Sequence, residues 1–216
     1  ELLPPDGVQT WEIRLESSRL LSADTSFGLY SRPSDAPYVL LAEQAEGGLS
    51  SHTLVRFAMP GSLVLPGPNS TAVVDSFPTF LSGSLRLAVD TTLNVRQDAR
   101  IELYRTTEDW DRTSATWTLR VDTPGARVPW TEPGGSPGML VGVGNYVAGS
   151  ASINIPVDSA TLAVWADRND PTRGGVITMG SANQRLRASI PTLRVRARAS
   201  VRDTIVDLTV VPGRTF

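Results

Sequence analysis

Leu193-Arg194-Val195-Arg196-Ala197-Arg198 alternates apolar and basic side chains along its whole length, and that alternation decides the fold class. Successive side chains of a strand point to opposite faces, so one side of this stretch enters a core and the other meets water. The same period recurs upstream. Leu85, Leu87 and Val89 alternate with Ser84, Arg86 and Asp90, and Ile153, Ile155 and Val157 alternate with Ser152, Asn154 and Asp158, Pro156 interrupting the polar set. Near the front Trp11, Ile13 and Leu15 alternate with Glu12, Arg14 and Glu16, and at the back Val206, Leu208 and Val210 alternate with Ile205, Asp207, Thr209 and Val211. Shorter apolar runs, Tyr38–Leu41, Leu54–Phe57, Ile101–Tyr104 and Leu162–Trp165, read as further strands.

Glycine and proline are scattered between these runs as turn punctuation, with no linker-like cluster and no repeat of fixed period. No long window keeps the apolar spacing of a helix, and only the polar stretch Thr106–Thr116 has room for a helical turn. One-face-wet alternation predicts antiparallel pairing. The expected fold is an all-β antiparallel sandwich, jelly-roll-like, in one domain, and 216 residues is an ordinary size for such a unit.

Composition removes several function classes. There is no cysteine, hence no disulfide, zinc-thiolate site or thiol nucleophile. A net charge of −2 leaves no footprint for nucleic acid. All 20 basic residues are arginine, so lysine Schiff-base chemistry is absent too. The plain reading of that bias is a GC-rich genome; the sharper one is a surface built on planar guanidinium groups for sugar and carboxylate contacts. No apolar run is long enough to span a bilayer. The chain opens on Glu1 without a signal-peptide pattern, which fits a processed mature form as well as a trimmed chain.

Several segments, taken in order, resemble the DNRLRE domain family, which is related to carbohydrate-binding module family 96. They are Ala23-Asp24-Thr25, Tyr38-Val39-Leu40-Leu41, Leu54-Val55-Arg56-Phe57 and Ser84-Leu85-Arg86-Leu87. The most specific piece is Glu102-Leu103-Tyr104-Arg105 followed by Trp110 and Ala115-Thr116-Trp117. The tail runs through Ile155-Pro156-Val157, Trp165-Ala166-Asp167, Gly175-Val176-Ile177 and Ser181 to Ile190-Pro191-Thr192-Leu193-Arg194-Val195. The resemblance covers residues 20–198 and implies an exported or surface-displayed antiparallel sandwich without a catalytic residue. Residues 1–19 and 199–216 flank it and carry strand-like runs, so they are expected to be extensions that could join neighbouring subunits.

Candidate sites are few. His52 is the single histidine, and no set of imidazole or thiolate metal ligands can form. Glu108, Asp109 and Asp111 surround Trp110; a carboxylate pair can hydrolyse glycosides, but a turn capping a strand end is the plainer reading. Asp167-Arg168-Asn169-Asp170 offers oxygen ligands for calcium without the spacing of a known loop, so a turn is preferred. Asn69-Ser70-Thr71 matches a glycosylation acceptor.

Among five tryptophans, Trp110 and Trp117 follow the family pattern and read as structural. Trp130, between Pro129 and Thr131, is the best candidate for an exposed sugar platform, although anchoring in the core is the plainer use. Arg185, Arg187, Arg194, Arg196 and Arg198 offer a basic face able to meet uronate carboxylates, although a solvated strand face beside acidic residues is the plainer reading.

Two functions follow as expectations. The first is a non-catalytic extracellular or cell-surface structural protein, joined to copies of itself or to other surface proteins by strand addition through Trp11, Ile13, Leu15, Val206, Leu208 and Val210. The second is a carbohydrate-binding module using Trp130, Arg194 and Arg196 on an acidic polysaccharide. Neither calls for a cofactor, a nucleic acid or a membrane span.

Overall fold

The alternating stretch at 193–198 is a strand, with Leu193, Val195 and Ala197 buried and Arg194, Arg196 and Arg198 exposed. It belongs to an antiparallel β-sandwich, seen in a computed structural model that describes residues 38–67, 71–91, 97–201 and 203–211. The early strands are β1 (Tyr38–Ala45), β2 (Leu49–Ser51), β3 (Thr53–Val55), β4 (Leu63–Pro66) and β5 (Ala72–Asp75). The middle strands are β6 (Thr79–Ala88), β7 (Ala99–Thr106), β8 (Leu119–Thr123), β9 (Ala126–Pro129), β10 (Pro137–Tyr146) and β11 (Ser152–Val157). Helix α1 (Ser159–Ala166) precedes β12 (Gly175–Met179), β13 (Gln184–Ser189), β14 (Thr192–Ala199) and β15 (Thr204–Val210).

One sheet has the order β10-β7-β12-β3 and the facing sheet β11-β6-β14-β15; a smaller sheet, β13-β1-β2, joins them. The chain passes between the two large sheets at β6–β7, β10–β11 and β11–β12, so most neighbours in sequence pair with strands distant in sequence. Leu85, Leu87, Ile153, Ile155, Leu193 and Val195 from one sheet meet Ile101, Leu103, Ile177 and Met179 from the other in a single core, with Leu41 and Leu186 from the small sheet. Each such side chain contributes about 1.5–3 kcal/mol over its exposed state. That burial is how a chain without cysteine holds this fold.

Two expectations are corrected and one strand is added. Leu162–Trp165 is not a strand but lies in α1. The Asp158 carboxylate accepts the backbone N–H of Thr161 at 2.7 Å and caps that helix. Leu162 and Trp165, three residues apart, then share its buried face.

Second, the segment from 199 onward is no appendage. β15 pairs with β14 from Ala199↔Thr204 to Leu193↔Val210, so the expected boundary at 198 falls inside β14. Val210 is buried, and Val206 and Leu208 pack on the same core, so these three side chains are used within the chain. What β15 offers a neighbour is its outer edge, not those side chains.

Third, a ten-residue strand, β10, runs where glycines obscure the alternation. The single helical turn expected in Thr106–Thr116 is present, with the Ala115 N–H donating to the Asp111 carbonyl at 3.0 Å. Trp11, Ile13 and Leu15, with Ala23-Asp24-Thr25 and Asn69-Ser70, lie outside the described residues.

Asp75 fastens the β4–β5 hairpin to the turn between β14 and β15. The buried carboxylate accepts the Ser200 hydroxyl at 2.7 Å and the Ser200 N–H at 2.5 Å, and it also accepts the Phe77 N–H at 3.0 Å. These donors, Ser200 first, hold its carboxyl below the ordinary aspartate value.

Candidate binding surfaces

Between β7 and β10 the chain leaves the sheet and lays a cap over its outer face. Trp110, Ala115 and Trp130 from this cap pack on Leu54 and Val176 as a second core. Every residue of β12 is therefore buried, with Ile177 and Met179 in the main core and Val176 beneath the cap. The β8–β9 hairpin turns on Pro124-Gly125, with Gly125 at φ 91°, where a side chain would be strained.

Trp130 is a buried anchor rather than a sugar platform. It is 5% exposed, and its indole N–H donates to the Thr116 carbonyl at 2.9 Å. Gly134 and Gly135, both at positive φ, fold the following loop against it and the sheet. A Cβ on Gly135 would stand 2.7 Å from Leu54 Cδ2, which leaves no room for a larger residue. Proline and glycine near Trp130 thus mark a close approach of backbone, where the sequence alone suggested an open loop.

The acidic group beside Trp110 is committed to local bonds. Glu108 accepts the Ser136 hydroxyl at 2.6 Å and both the N–H and hydroxyl of Thr131 at 2.9 Å. Burial alone would raise the Glu108 carboxyl, but these donors, with Arg120, hold it below the ordinary value. Asp111 accepts the hydroxyl and N–H of Thr113, and these bonds, the hydroxyl's foremost, hold it low as well. Asp109 pairs with Arg56 at 2.5 Å. A glycosidase acid needs a raised carboxyl, and this arrangement pushes the other way. The other acidic loop is built alike: Asp167 accepts the Asn169 N–H, and Asp170 accepts the Thr172 N–H and hydroxyl. Among the described residues no group of three or more acidic or histidine side chains is placed to hold a metal ion.

Trp117 is the exposed tryptophan of the cap, at 43%, and its backbone is fixed. Its carbonyl accepts the Gly134 N–H at 2.8 Å, and the Gly134 carbonyl in turn accepts from His52 Nδ1 at 2.8 Å. That acceptor assigns the hydrogen to Nδ1, leaving Nε2 toward the Glu43 carboxylate 3.9 Å away. The His52 ring leans on Trp117 with centroids 4.8 Å apart. Beside them opens a cleft of about 360 Å³, floored by Leu40, Leu54 and Ala115 and rimmed by Tyr38, Ser50 and Ser51. The Arg187 guanidinium lies 3.4 Å from the Tyr38 ring centre and pairs with Asp90 at 3.8 Å. Ser51 donates its hydroxyl to the Leu40 carbonyl, so it does not face His52 as a nucleophile.

No protein-family model, no curated protein and no solved structure matches this chain. Its surfaces are read from geometry.

Arg194 and Arg196 are exposed on the outer face of the β11-β6-β14-β15 sheet, opposite Ser84 and Ser82 of β6. Arg86 stands on the same face, opposite Asn154 of β11 and Thr192 of β14. Among the described residues no carboxylate forms an ion pair with these three arginines, whereas Arg198 pairs with Asp203 at 3.3 Å. Trp130, beneath the cap on the other sheet, is not brought to them. Arg187 instead joins Tyr38 on the rim of the Trp117 cleft, and Arg185 is exposed on the same strand. Sequence reasoning missed the cleft because Tyr38, His52 and Trp117 meet only through the folded cap.

Proposed function

We propose that this chain is a non-catalytic polysaccharide-binding domain of the cell surface or extracellular space. The observation that carries the reading is Trp117, a large ring left exposed while its backbone and one edge are held by Gly134 and His52. A rigid indole face stacks on the apolar face of a sugar ring without losing side-chain freedom on binding. Ser50, Ser51 and the Tyr38 hydroxyl supply a polar rim. The ordered segments that resemble the DNRLRE family point to the same class. On the outer face of the other sheet, the row of Arg86, Arg194 and Arg196, with Asp207 across from Arg196, is a separate surface for a polymer bearing carboxylates.

The test is affinity electrophoresis of the full chain against a panel of neutral and acidic polysaccharides. A retarding polymer is expected, with Trp117→Ala weakening binding by about tenfold or more while melting within a few degrees of the parent. Arg194→Gln with Arg196→Gln selectively weakens acidic polymers and steepens no neutral interaction. Full retention by the folded Trp117→Ala variant would refute the cleft as the site.

Subunit assembly is the second reading, favoured by the edge position of β15. Among the described residues β15 pairs with β14 alone, and Ile205 on it is exposed. A strand from another copy can add to such an edge through main-chain bonds. Under this reading the intact chain forms polymers on a sizing column, and removal of residues 1–18 abolishes them. A monomer at high concentration rules it out.

A further inference from the structure

Four arginines distant in sequence converge on one pocket. Arg56 follows β3, Arg112 lies in the cap turn, Arg168 follows α1 and Arg173 precedes β12; they line a pocket of about 500 Å³ with Phe57 and Trp165. Arg56 is locked in place. It stacks 4.1 Å from the Trp110 ring centre, donates Nε–H to the Arg173 carbonyl at 3.0 Å, and pairs with Asp109.

Such convergence costs free energy unless an anion repays it. Like charges a few ångströms apart beside an apolar floor repel more strongly than in open water. The cost registers at Arg56, whose charge is disfavoured first by burial, then supported by Asp109, and opposed again by Arg173 and Arg112. Among the described residues no carboxylate pairs with Arg168 or Arg173. Asp109 is the carboxylate paired with Arg56.

We propose that this pocket binds a dianionic oxyanion, a phosphate monoester, between Arg168, Arg173 and the fixed Arg56. Guanidinium forks match the oxygens of such a group two at a time, and the Phe57–Trp165 floor keeps water from competing. A protein partner would need an apolar patch of its own size, and a nucleic-acid strand would need stacking faces; the pocket offers neither at its mouth. The site stands apart from the Trp117 cleft, so either proposal can fail alone.

Thermal melting of the full chain in inorganic phosphate and in sulfate, against chloride at equal ionic strength, tests it. The parent melting temperature is expected to climb with the logarithm of phosphate concentration, as linkage requires. An Arg168→Gln, Arg173→Gln double variant is expected to lose that climb while melting no lower than the parent in chloride, because a repulsion has been removed. Phosphorus NMR line broadening should likewise appear with the parent and vanish with the variant. Sulfate serves as a second dianion of the same shape, and galacturonate as the monoanion. The proposal fails if the parent does not respond, if the variant responds equally, if it melts below the parent in chloride, or if galacturonate matches phosphate.

Discussion

Trp165→Ala is expected to lower folding stability by about 3–5 kcal/mol, the range for truncating a buried aromatic. Trp165 is 3% exposed, and its indole N–H donates to the buried Gly174 carbonyl at 3.0 Å. Its ring packs 5.5 Å from that of Phe57, so α1, β12 and the segment after β3 meet on one side chain. Truncation leaves a cavity among three elements that cannot all relax toward it. For a domain of this size each kcal/mol shifts melting by roughly 2–4 °C, so a drop on the order of 10 °C is expected. Trp165→Phe separates the two contributions. It keeps most of the packing and removes one of two hydrogen bonds to the Gly174 carbonyl, which still accepts the Thr106 N–H at 3.3 Å, at a cost of about 0.5–1.5 kcal/mol. Urea unfolding checks both, with the midpoint falling and the slope unchanged. A loss under about 1 kcal/mol for alanine would show that α1 is not bound to the core through this residue.

How much of this was legible in the sequence depended on exposure. β6, β11 and β14 each bury one face and wet the other, so period two appears directly in their residues. β12 gave no such signal because the cap buries its second face, and a strand covered on both sides does not alternate. The four-residue run Leu162–Trp165 is too short for its period to separate strand from helix; Asp158, in capping position before it, was the available cue. Tryptophan burial was legible in part: Trp110 read as structural and anchoring was the plainer use of Trp130, and both are buried. Trp117 read as structural too, yet it is 43% exposed, because the return of the loop through Gly134 covers Trp130 and leaves Trp117 at the surface. The four-arginine pocket was hidden for the simplest reason: Arg56 and Arg173 are joined by a tertiary contact, not by a motif.

The carboxylates that sequence offered for catalysis are held low or paired, Glu108 and Asp111 by local donors and Asp109 by Arg56. Among the described residues Arg86, Arg194 and Arg196 form no ion pair, although Asp207 lies across from Arg196 in register, so this sheet face keeps its guanidinium groups toward solvent.

Gly142→Ala should destabilise the sandwich, although glycine-to-alanine changes usually help a folded chain. Alanine narrows the unfolded ensemble and typically stabilises by about 0.4–1 kcal/mol where its Cβ fits. At Gly142 it does not fit, because the added carbon would overlap the Pro156 carbonyl of β11. Two residues on, a Cβ at Gly144 would come within 2.6 Å of Ile153 Cγ2 and 3.0 Å of the Asn154 carbonyl. β10 and β11 are edge strands of different sheets, and these glycines let their backbones touch where the sandwich closes. Backbone cannot rotate aside as a side chain can, so the overpacking cost of about 1–3 kcal/mol outweighs the entropic gain and fixes the sign. Gly61 is the control: a Cβ there meets only Arg168 Nη2, at 3.8 Å, and alanine is expected to be neutral or stabilising. Denaturation midpoints of the two variants should therefore move in opposite directions from the parent, or Gly142 alone should move. Equal stability of both would mean that β10 and β11 do not pinch together, and with them the closure of the sandwich on that side would be lost.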